Sequence, residues 1–196
     1  MYAADYLTLL LLNTGAGLWV VGSFFCWGLG RQDYRHWAPP FAVSGLVSLL
    51  GGLYMIFVWP MRGPGAFANI AFGELSVAYG ATMLGVALAV GRQWRLGPIA
   101  LFALVVGVMT ALIGVFIVHP HLWLTASPIM SGVAFMLSGL VGILALPSVL
   151  VPRLWPIRWT ASLVAFVAGA LWLLMSAMAF FYHLGTAHAG KVTYIF

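Results

Sequence analysis

Five histidines and three acidic residues carry most of the chemistry available to this 196-residue chain. Four of the histidines fall in two short runs, His119 and His121 in HPH and His183 and His188 in HLGTAH. Histidine is the commonest side-chain metal ligand, and a carboxylate often completes such a set. Two arrangements of this chemistry are open. Imidazoles from different helices can clamp a b-type haem as axial ligands, or an imidazole-rich site can take Zn, Cu or Fe. For either cofactor His119 and His183 are the first candidates, with His121, His188 and Glu74 as secondary metal ligands. The plainer alternative is that histidines at a membrane surface sit among the headgroups and bind nothing. His36, beside Arg35, reads as solvated.

Glu74, in NIAFGEL, is the sharpest single residue. A carboxylate inside a membrane segment costs about 2.5 kcal/mol or more at the helix centre, and such residues face the bundle interior as a rule. Close to a helix N-terminus the helix dipole would favour it. It is therefore expected about one turn inside its helix, as a cap or partner of Arg62, or else as a proton-relay or ligand group.

The elements that must position these residues follow from composition. The chain is 64% hydrophobic and only 6% charged, and its mean hydropathy is +1.09. Soluble domains carry about a quarter charged residues, so this chain cannot cover a water-facing surface. The eight Lys and Arg are scattered, which removes the clustered basic footprint of nucleic-acid contact. An all-α integral membrane bundle in the lipid bilayer is the reading. A spanning helix needs about 20 apolar residues. Splitting the apolar stretches at prolines and charges predicts six helices, at 6–30, 39–59, 69–91, 97–118, 128–150 and 159–183, in one transmembrane domain. The amino-terminal run MYAADYLTLLLLN lacks a basic region, so the first helix is expected to remain in the mature protein.

Arg31, Arg35, Arg92, Arg95, Arg153 and Arg158 fall in alternate loops, with Arg62 and Lys191 on the other side. The positive-inside rule then places both termini outside the inner (cytoplasmic) membrane. Tryptophans gather near span ends, as an interfacial belt requires. Small residues recur four apart at Ala81, Gly85 and Ala89 and again at Ala161, Ala165 and Gly169, spacing that lets helices approach closely. Cys26 is read as a buried structural thiol, and Asn13 and the span Ser/Thr residues as bonding partners for neighbouring helices without chemistry of their own. The even-numbered helices end alike, IFVWP at 56–60, FIVHP at 116–120 and FFYHL at 180–184, which would fit a hairpin repeated three times at offsets of 60 and 64.

The run LLGGLYMIFVWPMRGPGAFANIAFGE (49–74) resembles the small membrane-protein family known as domain of unknown function 981. Trp59, Pro60, Gly63 and Gly65 match its pattern loosely, and Asn69, Phe72, Gly73 and Glu74 closely. The turn is longer and more basic than the pattern. The resemblance implies the membrane architecture and points to Glu74; it names no reaction.

No nucleophile or acid–base constellation stands out, so an independent enzyme is not expected. The first functional expectation is a small subunit of a larger redox or respiratory membrane complex, partnered by other membrane subunits and carrying haem b or a metal near the outer leaflet. The alternatives are a transporter or channel for a small solute or ion, and a structural subunit filling an interface. Transporters as a rule need broken helices or charges at the bilayer midplane, and this chain offers only Glu74, near one end of its span.

Overall fold

The computed structural model describes residues 6–61, 66–119, 127–151 and 153–188, without the side chains of Phe67, His183 and 185–188. Six helices follow one another: α1 (Tyr6–Ser23), α2 (Ala38–Val58), α3 (Phe67–Gly91), α4 (Gly97–Val118), α5 (Pro128–Leu150) and α6 (Trp155–His188). Each is long and apolar enough to cross a bilayer. The described residues contain no strand. Prolines stand in the first turn of α2, α4 and α5, where the missing N–H is unpaired anyway and the fixed φ suits the helix. Pro156 does the same for α6, which therefore begins before residue 159. Outward-facing residues such as Leu50, Phe57, Leu112, Val115, Leu163 and Phe181 are exposed, a surface that only lipid covers without cost.

The helices form a closed ring. Each packs on its neighbours in sequence, and α6 returns to α1. Three antiparallel pairs within this ring are the tight ones: α2 with α3, α4 with α5, and α6 with α1. Glycines explain why. Gly45 faces Gly80 and Gly52 faces Gly73; Gly107 faces Gly139 and Gly114 faces Gly132; Gly169 faces Gly15. A Cβ on Gly107 would lie 2.6 Å from the Gly139 carbonyl oxygen, so only glycine allows these backbones to meet. Without water to drive association, such close packing is what holds membrane helices together. The α1–α6 series continues with serines: Ser176 Oγ donates to the Thr8 carbonyl (3.1 Å) and Ser162 Oγ to the Gly22 carbonyl (2.6 Å).

These contacts set the register of the repeat. Gly45, Gly107 and Gly169 are 62 residues apart, as are Gly52, Gly114 and Ser176. The three pairs are thus one helix-pair unit used three times, with the even-numbered helices aligned at 62 rather than at the offsets of 60 and 64 that the helix ends suggest. The small-residue stripes divide: Ala161 and Ala165 are fully buried and Gly169 meets α1. On α3, however, Ala81 is exposed, whereas Gly85 packs against Ile99 of α4 and Ala89 is buried; the close approach to α2 falls to Gly73 and Gly80.

α1 ends in a π-turn, Phe24–Gly28, closed by Leu29 N–H donating to the Phe24 carbonyl (2.7 Å). Carbonyls that a regular helix would have paired are taken by Arg158 of α6, which donates to Phe25 O (2.8 Å and 3.1 Å) and Cys26 O (3.3 Å). Cys26 Sγ lies 2.8 Å from Ser162 Oγ. At this end the loops are laced together: Arg35 donates to Gln93 Oε1 (2.9 Å), and Gln93 to the Gln32 carbonyl (3.1 Å). At the opposite end Asn69, fully buried, staples the α2–α3 turn. Its amide donates to the carbonyls of Met61 (2.7 Å) and Ala66 (3.1 Å) and its oxygen accepts from Met61 N–H (3.2 Å).

Candidate functional site: a lumen through the bundle

A ring of six helices leaves a space along its axis. A cavity of about 150 Å³ runs between the helices and is lined by residues of all six. That is the size of cavity that holds one small ligand. The odd-numbered helices supply most of the wall, at helical spacing: Leu11, Thr14, Leu18 and Val21 from α1, and Ser76, Tyr79, Met83 and Val86 from α3. From α5 come Phe135, Ser138, Gly142 and Ala145.

Aromatic residues flank the lumen on both sides. Toward the amino-terminal end of α1, Phe72, Phe135 and Trp172 meet edge to face, with centroids 5.1 Å (Phe72–Phe135), 5.0 Å (Phe135–Trp172) and 6.2 Å (Phe72–Trp172) apart. Toward the arginine-bearing loops Phe24 packs on Phe41 (5.4 Å), Trp37 (5.8 Å) and Tyr34 (6.2 Å). Phe24 and its neighbour Phe25 belong to the π-turn that Arg158 holds, so a loop-end cation positions two aromatic residues of the cavity wall.

Between these layers lies a belt of hydroxyls: Thr14, Ser76, Tyr79, Thr82, Thr110 and Ser138. On α3 alone the belt covers about 9 Å of height. Four of the hydroxyls donate to a carbonyl one turn back in their own helix: Thr14 to Leu10 (2.8 Å), Thr82 to Ala78 (2.7 Å), Thr110 to Val106 (2.8 Å) and Ser138 to Ala134 (2.7 Å). With the proton spent, each oxygen keeps lone pairs to offer. No carboxylate, ammonium, guanidinium or imidazole is among the described lining residues. Such a wall offers a few hydrogen-bonding oxygens in an otherwise apolar surface, and no charged side chain to offset the desolvation of an ion.

Glu74 and His119, two of the residues picked out by their chemistry in the sequence, are not among the residues that line this cavity. Glu74 is seven residues beyond the start of α3, outside its first turn, and faces out of the bundle. The helix is capped at Ala66 without a side-chain bond. Arg62 and His121 lie outside the described residues, as do the side chains of His183 and His188. His119 ends α4 and is exposed. Among the described residues no three His, Cys, Asp or Glu side chains come together as a metal set would. The belt, by contrast, is made of Ser, Thr and Tyr residues to which the sequence assigns no chemistry.

Fold and lumen together define a multi-pass membrane protein whose six helices enclose an axial space. The chain belongs to the family described as Protein of unknown function (DUF981), whose model matches residues 1–186. Among solved structures it is similar to a Helicobacter pylori urea channel determined by cryoEM in a closed state, with a TM-score of 0.73 and 15% identity. The likeness covers 90% of this chain and 98% of that one. At that identity it establishes a common fold. No curated protein matches the chain.

Proposed function

We propose that this protein is a channel that lets a small uncharged solute cross the membrane through the axis of the bundle. The observation that carries the proposal is the lumen itself, enclosed by all six helices, free of charge along its described wall and belted with hydroxyls. A solute enters past one aromatic layer, exchanges water for the belt oxygens, and leaves past the other. Aromatic walls admit flat or narrow molecules, and desolvation holds back ions. Broken helices and midplane charges are requirements of carriers that alternate between states; a lumen inside continuous helices needs neither. The fold shared with a urea channel makes urea the first solute to test. Nothing among the described residues favours the redox-subunit reading over this one. The arginine-bearing loops belong in the cytoplasm on this proposal, with both termini outside the inner membrane.

The test is solute-driven volume change of proteoliposomes followed by light scattering. Urea should enter faster than into protein-free liposomes of the same lipid, while sodium and chloride should not pass. Equal urea rates with and without protein would overturn the proposal.

A further inference from the structure

The register of the three hairpins places particular residues of the wall side by side. Gly15, Gly80 and Gly139 are equivalent: each is the glycine of an odd-numbered helix that meets its partner at Gly169, Gly45 or Gly107. The residues just before them are Thr14, Tyr79 and Ser138, and all three line the lumen. The common glycine pairing places them at one level of the bundle. The Tyr79 hydroxyl lodges over Gly17 of α1, next to Thr14 in the helix. Trp172, one turn from Gly169, donates from Nε1 to Ser138 Oγ (2.8 Å).

We propose that Thr14, Tyr79 and Ser138 form one recognition ring at the middle of the lumen, which selects a small neutral solute that offers N–H donors. This rests on the channel reading and names its specificity-determining residues. The chemistry of the ring is acceptor-rich. Thr14 Oγ1 donates to Leu10 O and keeps both lone pairs; Ser138 Oγ donates to Ala134 O, accepts from Trp172, and keeps one. The third side is held differently. The Tyr79 hydroxyl shares a hydrogen with Ser44 Oγ (3.4 Å). Ser44 in turn lies in a net with Asn13, whose amide donates to Ser44 O (2.9 Å) and Ser48 Oγ (2.7 Å). Glycine at position 17 is required for this, because any Cβ there would collide with the Tyr79 hydroxyl and Ser44 Oγ. The Tyr79 ring is thereby fixed as a wall, and it sets the width at the level of the two acceptors. An amide-type solute can give one N–H to Thr14 and another to Ser138 while passing that wall. A solute without N–H or O–H donors leaves the two oxygens unpaired, which is how a polar site rejects an analogue.

The experiment measures urea and water permeation in the same proteoliposomes for Thr14→Val, Thr14→Ser and Ser138→Ala. Water reports an open, folded lumen, so a change in the urea-to-water ratio is not a folding effect. Loss of one neutral hydrogen bond should lower urea permeation about fivefold in Thr14→Val and in Ser138→Ala, with water permeation kept. Thr14→Ser, which retains the hydroxyl, should keep the wild-type ratio. The proposal is overturned if both hydroxyl-deleted variants hold the wild-type ratio, or if Thr14→Ser falls as far as Thr14→Val. If the wild type passes urea and the ratios do not move, the ring fails and the channel stands. If the wild type passes no urea, both fail.

Discussion

Glu74 and Asn69 sit five residues apart in the same motif, yet they do opposite things. Asn69 is fully buried and makes three hydrogen bonds across the α2–α3 turn. Asn69→Leu would strand both polar groups of Met61, and each buried group left unsatisfied costs about 1–3 kcal/mol. A lower melting temperature in detergent, with the helix content of the surviving protein unchanged, is the expected result. Glu74 lies outside the bundle, away from the lumen wall. Glu74→Gln should therefore leave urea flux within experimental scatter of the wild type; a collapse of flux would place Glu74 on the permeation path. The sequence singles out Glu74 because an ionisable group in a span is conspicuous, whereas the belt is built of Ser, Thr and Tyr residues that are ordinary in membrane helices. One signal was there to be found: Thr14-Gly15, Tyr79-Gly80 and Ser138-Gly139 repeat a hydroxyl–glycine step in every odd helix. The histidine pairs are decided by a different measurement, since a Soret band or stoichiometric metal in the purified protein would show a cofactor, with His119 and His183 the first ligands to mutate.

At the level of helices, glycine pairing and the π-turn are the features with consequences. Gly139→Val would push a side chain into the Gly107 carbonyl and Ala111 of α4. Overpacking of this kind costs about 1–3 kcal/mol and, here, pries α4 from α5. Reduced yield and a lower unfolding temperature should follow. A valine in place of Ala81, an exposed position on α3, should be tolerated. Arg158→Met removes the donors for Phe25 O and Cys26 O. Given the partial exposure of the guanidinium, the loss should be about 1–2 kcal/mol. Lys should not restore it, because a single ammonium lacks the forked donors. Helix number and most helix ends were legible from prolines and charges, which mark boundaries by plain steric and solvation rules. The π-turn was not, because residues 24–28 are as apolar as any regular turn.

The whole molecule is apolar on two surfaces at once, one facing lipid and one facing the axis. Residues such as Leu112 and Leu163 outside and Leu18 and Val86 inside are of the same kind. That is why hydropathy identified the bundle but not its lumen: periodicity separates apolar from polar faces, and here both faces are apolar. The weak repeat of helix ends hinted at the threefold plan, and the glycine register now defines it. Charged or broken helices are what an alternating carrier needs, and the proposed passive channel needs neither.

Closure of the ring by α6 against α1 has one more consequence. Every helix that lines the cavity comes from a single polypeptide, so on the proposed channel reading each copy carries its own pathway whatever company it keeps in the membrane. When wild-type protein is co-reconstituted with a blocked variant, flux should fall in direct proportion to the fraction of blocked copies. A shared pathway between copies would instead bend that line into a steep curve.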